Sequence, residues 1–248
     1  MNSHLAQFQI VYVLVSAAVI LGVIMTGLRI ISIRASGSHL LPSGLWPVLS
    51  GTLLAWYAFA SFLAIGGFFA ASRAAGIPTL PFGVLLPVIA GVVIIFRSKT
   101  AVRLLDATPL HWLIAVQTYR VIGVVFLILY AGGELPQVFA IPAGAGDVFV
   151  GLFALVAAWA VRRGLPWARS AAYAWNFAGL LDFVVALATG FLSSPSPLQV
   201  FALDHPNRLV TAYPLVMIPA FLVPLSILLH VLCLWKLGRE GRRSAGNR

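Results

Sequence analysis

Arg120, Asp147 and Asp182 are charged residues set inside long apolar stretches, and their types define what chemistry is possible. A guanidinium can receive an anionic group or pair with a carboxylate. A carboxylate in apolar surroundings can hold a cation or serve as acid or base. Gln117 lies three residues before Arg120 and shares its helix face, and Asn176 and Asp182 belong to one stripe that runs through Gly179. Together these five form the candidate ligand-binding stripe.

The elements that must position them follow from composition. The 248 residues are 61% hydrophobic and only 9% charged, with mean hydropathy +1.01. Soluble domains carry about 25% charged residues, so the bilayer is the main solvent of this chain. Cys233 is the single cysteine, which excludes an internal disulfide and a cysteine-rich metal site. The net charge of +10 is no nucleic-acid signal, because the positive residues flank apolar segments.

Taking about 20 apolar residues per crossing, seven segments are long enough to span: 8–31, 45–71, 80–96, 110–131, 143–161, 167–192 and 210–236. The first is too long for a cleavable signal and has no preceding Lys or Arg. The expected fold is all-α: a polytopic seven-helix bundle over residues 1–238, N-terminus outside, with a basic cytoplasmic tail over 239–248. That orientation places Arg29, Arg34, Arg97, Lys99, Arg103, Arg162, Arg163, Arg169, Lys236, Arg239, Arg242, Arg243 and Arg248 inside, against Arg73 and Arg208 outside. The tail should lie on anionic inner-leaflet lipids.

Spans four to six each present a small or polar face. Gly144, Asp147 and Gly151 share one side of span five; Asn176, Gly179, Asp182, Ala186 and Thr189 share one side of span six. At a rise of about 1.5 Å per residue, Arg120 and Asn176 fall near mid-membrane and both aspartates in the outer half. Arg120 can reach a carboxylate a turn above it, which leaves pairing with Asp147 and pairing with Asp182 both open. Such a pair could only fix helix register, or it could bind a ligand or handle protons. Glu134, Asp204 and His205 could add an outward vestibule attractive to a cation, or be solvated loop residues.

Span seven carries Pro214, Pro219 and Pro224, which predicts a kinked helix. Ser226 and His230 share its inner face. His111 and His230 could ligate haem, although histidines near helix ends more often sit at the interface. No cofactor is otherwise predicted. No HExxH, GxSxG or phosphate-binding loop occurs. The lysines, Lys99 and Lys236, lie at the inner boundary, so a mid-membrane Schiff base is excluded. The histidines His4, His39, His111, His205 and His230 are too scattered for a metal hydrolase.

The stretches AVQTYRV, AGDVFVG, AWNFAGLLD and AYPLVMIPAFLVPLSILLHVLCL resemble a group of uncharacterised bacterial seven-helix inner-membrane proteins over about the carboxy-terminal 60% of the chain. The resemblance implies residence in a bacterial cytoplasmic membrane and a shared motif of Gln117, Arg120, Asp147 and Asn176, with no attached activity. The leading expectation is a binding or transport-like protein for a small ligand or ion at the polar stripe. Behind it stand a membrane-embedded enzyme using Asp147 or Asp182, which lacks a visible nucleophile or metal set, and an accessory subunit packed in a membrane complex.

Overall fold

A computed structural model describes residues 3–36, 42, 44–70 and 78–246. His39, Arg73 and Arg248, and Ala71 at the end of the second expected span, lie outside the described residues. The chain is all-helical, with no strand among the described residues. Seven helices are long and apolar enough to cross a membrane, so this is a multi-pass membrane protein. In lipid every backbone group must be satisfied within its own segment, and that leaves helices for such a sequence.

The first three spans are α1 (Ser3–Ser36), α2 (Leu45–Ile65) and α3 (Leu80–Arg97). After α3 comes α4 (Lys99–Ala107), a short helix between the third and fourth expected spans. Its Leu105 is buried, while Lys99, Arg103 and Asp106 are exposed. Ser98 Oγ caps its start by accepting from Ala101 N at 3.2 Å. Lys236 Nζ closes its end, donating to Leu105 O at 2.8 Å and Asp106 O at 3.2 Å.

The fourth span has three parts: α5 (Leu110–Ala115), a 3₁₀ stretch (Val116–Gly123) and α6 (Val124–Ala131). It stops at Gly133 (φ 72°), where Gly133 N donates to Tyr130 O and Glu134 N to Leu129 O, both at 2.9 Å. The left-handed residue lets the chain reverse while its last carbonyls stay bonded. The fifth span is α7 (Gln137–Arg163), which starts six residues earlier than expected, tolerates Pro142, and ends the same way at Gly164 (φ 62°). The sixth is α8 (Ala168–Ser193).

The seventh span differs most from expectation. Residues 210–217 do not belong to the long helix. A single 3₁₀ turn (Leu209–Thr211) and a cis Tyr213–Pro214 bond lead into a π-helical turn (Ile218–Leu222), followed by α9 (Val223–Gly246). Pro214 therefore precedes the helix; Pro219 lies in the π turn and Pro224 in the first turn of α9. The segment expected as a tail from residue 239 continues α9 as far as Gly246.

α7 is central, packed against α5, the 3₁₀ stretch, α6 and α8. Its small residues permit the approach. A Cβ on Gly151 would come within 2.8 Å of Val121 N and 3.2 Å of Thr118 O. Phe126, Leu129, Phe139, Leu215 and Phe221 fill the core toward the Glu134 end, and Ile114, Val150, Ala154 and Leu237 fill it toward the basic end. At Gly151 two of the three nearest atoms are backbone, and the third is Cγ2 of the β-branched Val121 at 2.9 Å, so little can yield. Gly151→Leu should lower stability by about 1–3 kcal/mol, the usual cost of overpacking. Unfolding in mild detergent checks this, and a wild-type midpoint would refute the close approach.

Candidate functional site

The 3₁₀ stretch decides which way Arg120 points. With three residues per turn, positions i and i+3 stack directly, so Gln117, Arg120 and Gly123 form one buried row. In an α-helix the same three would drift around the axis. The row faces α7, α8 and α9.

Arg120 pairs with both aspartates. Nε donates to Asp147 Oδ1 at 2.8 Å, and Nη2 donates to Asp182 Oδ2. Nη1 donates to Gly179 O and to His230 Nε2, each at 3.2 Å. The guanidinium carbon lies 3.8 Å from the centroid of the Phe183 ring. Arg120 is 2% exposed, so these partners take the place of water.

His230 joins this cluster to Asn176. Nε2 faces a group that can only donate, so it accepts, and the ring proton sits on Nδ1. From there it is donated to Asn176 Oδ1 at 2.9 Å. Asn176 Nδ2 in turn donates to Ala172 O at 2.7 Å and Cys233 Sγ at 3.2 Å. Both nitrogens of His230 are thus engaged, and a haem on His230 and His111 would have to break one of these bonds. His111, at the start of α5, is half-buried.

Gln117 enters a second chain. Ser226 Oγ donates to Gln117 Oε1 at 2.7 Å, and Gln117 Nε2 returns a bond to Ser226 O at 3.1 Å. With the Ser226 proton used, Tyr119 OH donates to Ser226 Oγ at 2.6 Å, with Leu222 O at 3.3 Å. The 3₁₀ stretch and the π turn are therefore stitched together where they cross.

Glycines bring the charges close to backbone. A Cβ on Gly123 would strike Asp147, one on Gly146 would strike Asp182, and one on Gly179 would lie 2.5 Å from the His230 ring. Of the five predicted residues, Arg120, Asp147 and Asp182 meet directly, Asn176 joins through His230, and Gln117 sits one turn away bound to α9. Ala186 and Thr189 continue the α8 stripe, with Thr189 Oγ1 bonded to Val185 O.

The expected site drew on spans four to six, and the structure adds span seven through Ser226 and His230. Their shared face was readable, but not its direction. Tyr119, Phe183, Gly123 and Gly146 were missed. The signal available for Tyr119 and Phe183 was adjacency to Arg120 and Asp182.

A cavity of about 560 Å³ lies beside the cluster. It is lined by α3, α6, α7, α8, the π turn and the connecting segments around Phe69, Ser194 and Thr211. Asp147 is its one charged lining residue among the described residues. Glu134, Asp204 and His205 do not line it; Asp204 and His205 are exposed loop residues.

A family model described as Domain of unknown function (DUF8737) matches residues 77–238. The chain belongs to this family. The matched span contains Arg120 and all of its partners. No curated protein and no solved structure matches the chain.

Removing Arg120 alone would strand two carboxylates in apolar surroundings. Arg120→Leu should cost about 3–5 kcal/mol, whereas replacing Arg120, Asp147 and Asp182 together by leucine should recover most of it. Reversible unfolding of wild type and these two variants tests the ion triad. An Arg120→Leu protein as stable as wild type would refute it.

Proposed function

We propose that the protein binds a small ligand in the cavity beside Asp147 and serves a binding or transport-like role. The observation that carries this reading is a ligand-sized cavity in which Asp147 is the single charged lining residue. Ligand sites are commonly about 300–1,000 Å³, mostly apolar, with few polar groups. Here the polar group is held in place: Arg120 fixes Asp147, and Asp182, His230 and Gly179 fix Arg120. A cluster serving helix register alone has no need to adjoin open volume.

In this reading the face bearing Arg97, Lys99, Arg103, Arg162, Arg163 and Arg239 is cytoplasmic, by the excess of positive residues there. The N-terminus is then outside, and the cavity faces outward. The membrane is a bacterial cytoplasmic one, and the basic face contacts anionic lipid.

Ala143 is 1% exposed and lines the cavity, so Ala143→Trp should fill it. Native mass spectrometry in mild detergent should show wild type carrying a discrete mass above its 26.5 kDa chain, absent from Ala143→Trp. Ala186→Phe fills the same volume from α8 and covers the case in which Ala143→Trp does not fold. A wild-type protein of bare chain mass, or an added mass retained by both filled variants, would refute the proposal.

A further inference from the structure

We infer that the cavity selects a small organic cation with an apolar body, an amine or quaternary ammonium, whose charge rests against Asp147. This deepens the binding role proposed above and rests on it.

Charge is the first argument. Arg120 brings one positive charge, and its two carboxylate partners bring two negative ones. His230 accepts from Arg120 with Nε2 and is neutral, so it does not close the difference. The next cation along α9, Lys236, is held at the end of α4. The triad therefore has one surplus negative charge at membrane depth, where an uncompensated charge is costly. A bound monocation brings the sum to zero. Asp147 is the partner placed to receive it, because it alone of the three lines the cavity.

The walls give the second argument. Phe68, Phe69, Phe126, Phe139, Phe183 and Phe191 line the space, and aromatic rings attract cations through their negative faces, the basis of quaternary ammonium recognition. Phe183 already does so for Arg120.

The third argument is the polarity of the rim. Thr79 Oγ1 donates to Phe68 O, Ser194 Oγ to Gly190 O at 2.7 Å, and Thr211 Oγ1 to Arg208 O at 2.9 Å. Their hydrogens are spent on backbone, so these hydroxyls offer lone pairs to the cavity. No described lining side chain carries an N–H. Among the described lining side chains an anion would find no N–H and only hydroxyls such as that of Ser196, which accepts from Leu198 N, because Arg120 lies behind Asp147 and outside the lining.

The probes are benzyltrimethylammonium, benzyl alcohol and benzenesulfonate: similar rings bearing positive, zero and negative charge. Binding is measured by calorimetry on full-length protein in nanodiscs, with empty nanodiscs subtracted. The cation should bind about tenfold or more tightly than either other probe, the scale of a desolvated cation–ring contact joined to a carboxylate. Asp147→Asn should abolish that preference, and Phe139→Leu, a milder change that spares the triad, should weaken the cation about threefold without affecting benzyl alcohol.

Equal binding of cation and alcohol would overturn the inference, since the surplus charge would then be met by a proton. Tighter binding of the sulfonate, an undiminished preference in both variants, or no binding by any probe would overturn it too. Ala143→Trp separates the two levels. If it excludes probes that bind alike, the cavity reading stands and only the cation assignment fails; if it still binds them, the cavity reading fails.

Discussion

A guanidinium at the centre of an apolar bundle carries five N–H groups and has no water to receive them. Every one that lacks an acceptor costs free energy on the scale of a lost hydrogen bond or more. Arg120 meets four of these five demands by drawing partners from three other crossings: Asp147 on α7, Asp182 and the Gly179 carbonyl on α8, and His230 on α9. Four spans converge on one planar group, and their spacing and rotation must satisfy it together. The glycines facing Asp147, Asp182 and His230 follow from the same demand, since a methyl group at any of them would occupy space that a polar side chain needs.

The irregular backbone is a second consequence. An uninterrupted α-helix through residues 116–123 would rotate Gln117, Arg120 and Gly123 away from a common line. The 3₁₀ stretch aligns them, at the cost of weaker helix geometry that something else must offset. Across from it, Gln117 exchanges bonds with Ser226 through Nε2 to Ser226 O and Oε1 from Ser226 Oγ, and Tyr119 OH donates to the same Ser226 Oγ. The 3₁₀ stretch is thus tied by side-chain bonds to the start of α9, directly after the π turn.

This division explains which parts of the molecule could be read from the sequence. The all-helical class, the crossing helices and the exceptional status of Arg120, Asp147 and Asp182 follow from hydropathy and from the cost of charge in lipid, which are properties of the linear chain. The two-sided pairing of Arg120 does not, because one-dimensional depth cannot say how a side chain is rotated. Likewise, three prolines signalled an irregular seventh span but not that Pro214 precedes the helix and that the irregularity is a π turn. α4 was missed because nine residues of mixed polarity carry too weak a pattern to stand apart from a loop.

The two carboxylates are chemically alike, yet the structure gives them unequal positions. Asp182 is packed against the backbone of α7 at Gly146 and contacts Arg120 from α8. Each carboxylate contacts Arg120 through one oxygen, and Asp147 is the one that also borders open volume. A carboxylate held by one oxygen is oriented without being saturated, because its remaining lone pairs can still accept. Asp182 thereby completes the coordination of Arg120 while Asp147 faces whatever enters the cavity. In the proposed binding role, two carboxylates on one arginine are what leave a charge for a ligand: with a single aspartate the pair would be charge-balanced and its carboxylate would have little attraction left for a further group. The extra acidic residue makes sense as the means by which a buried ion pair keeps one charge available beside an apolar space.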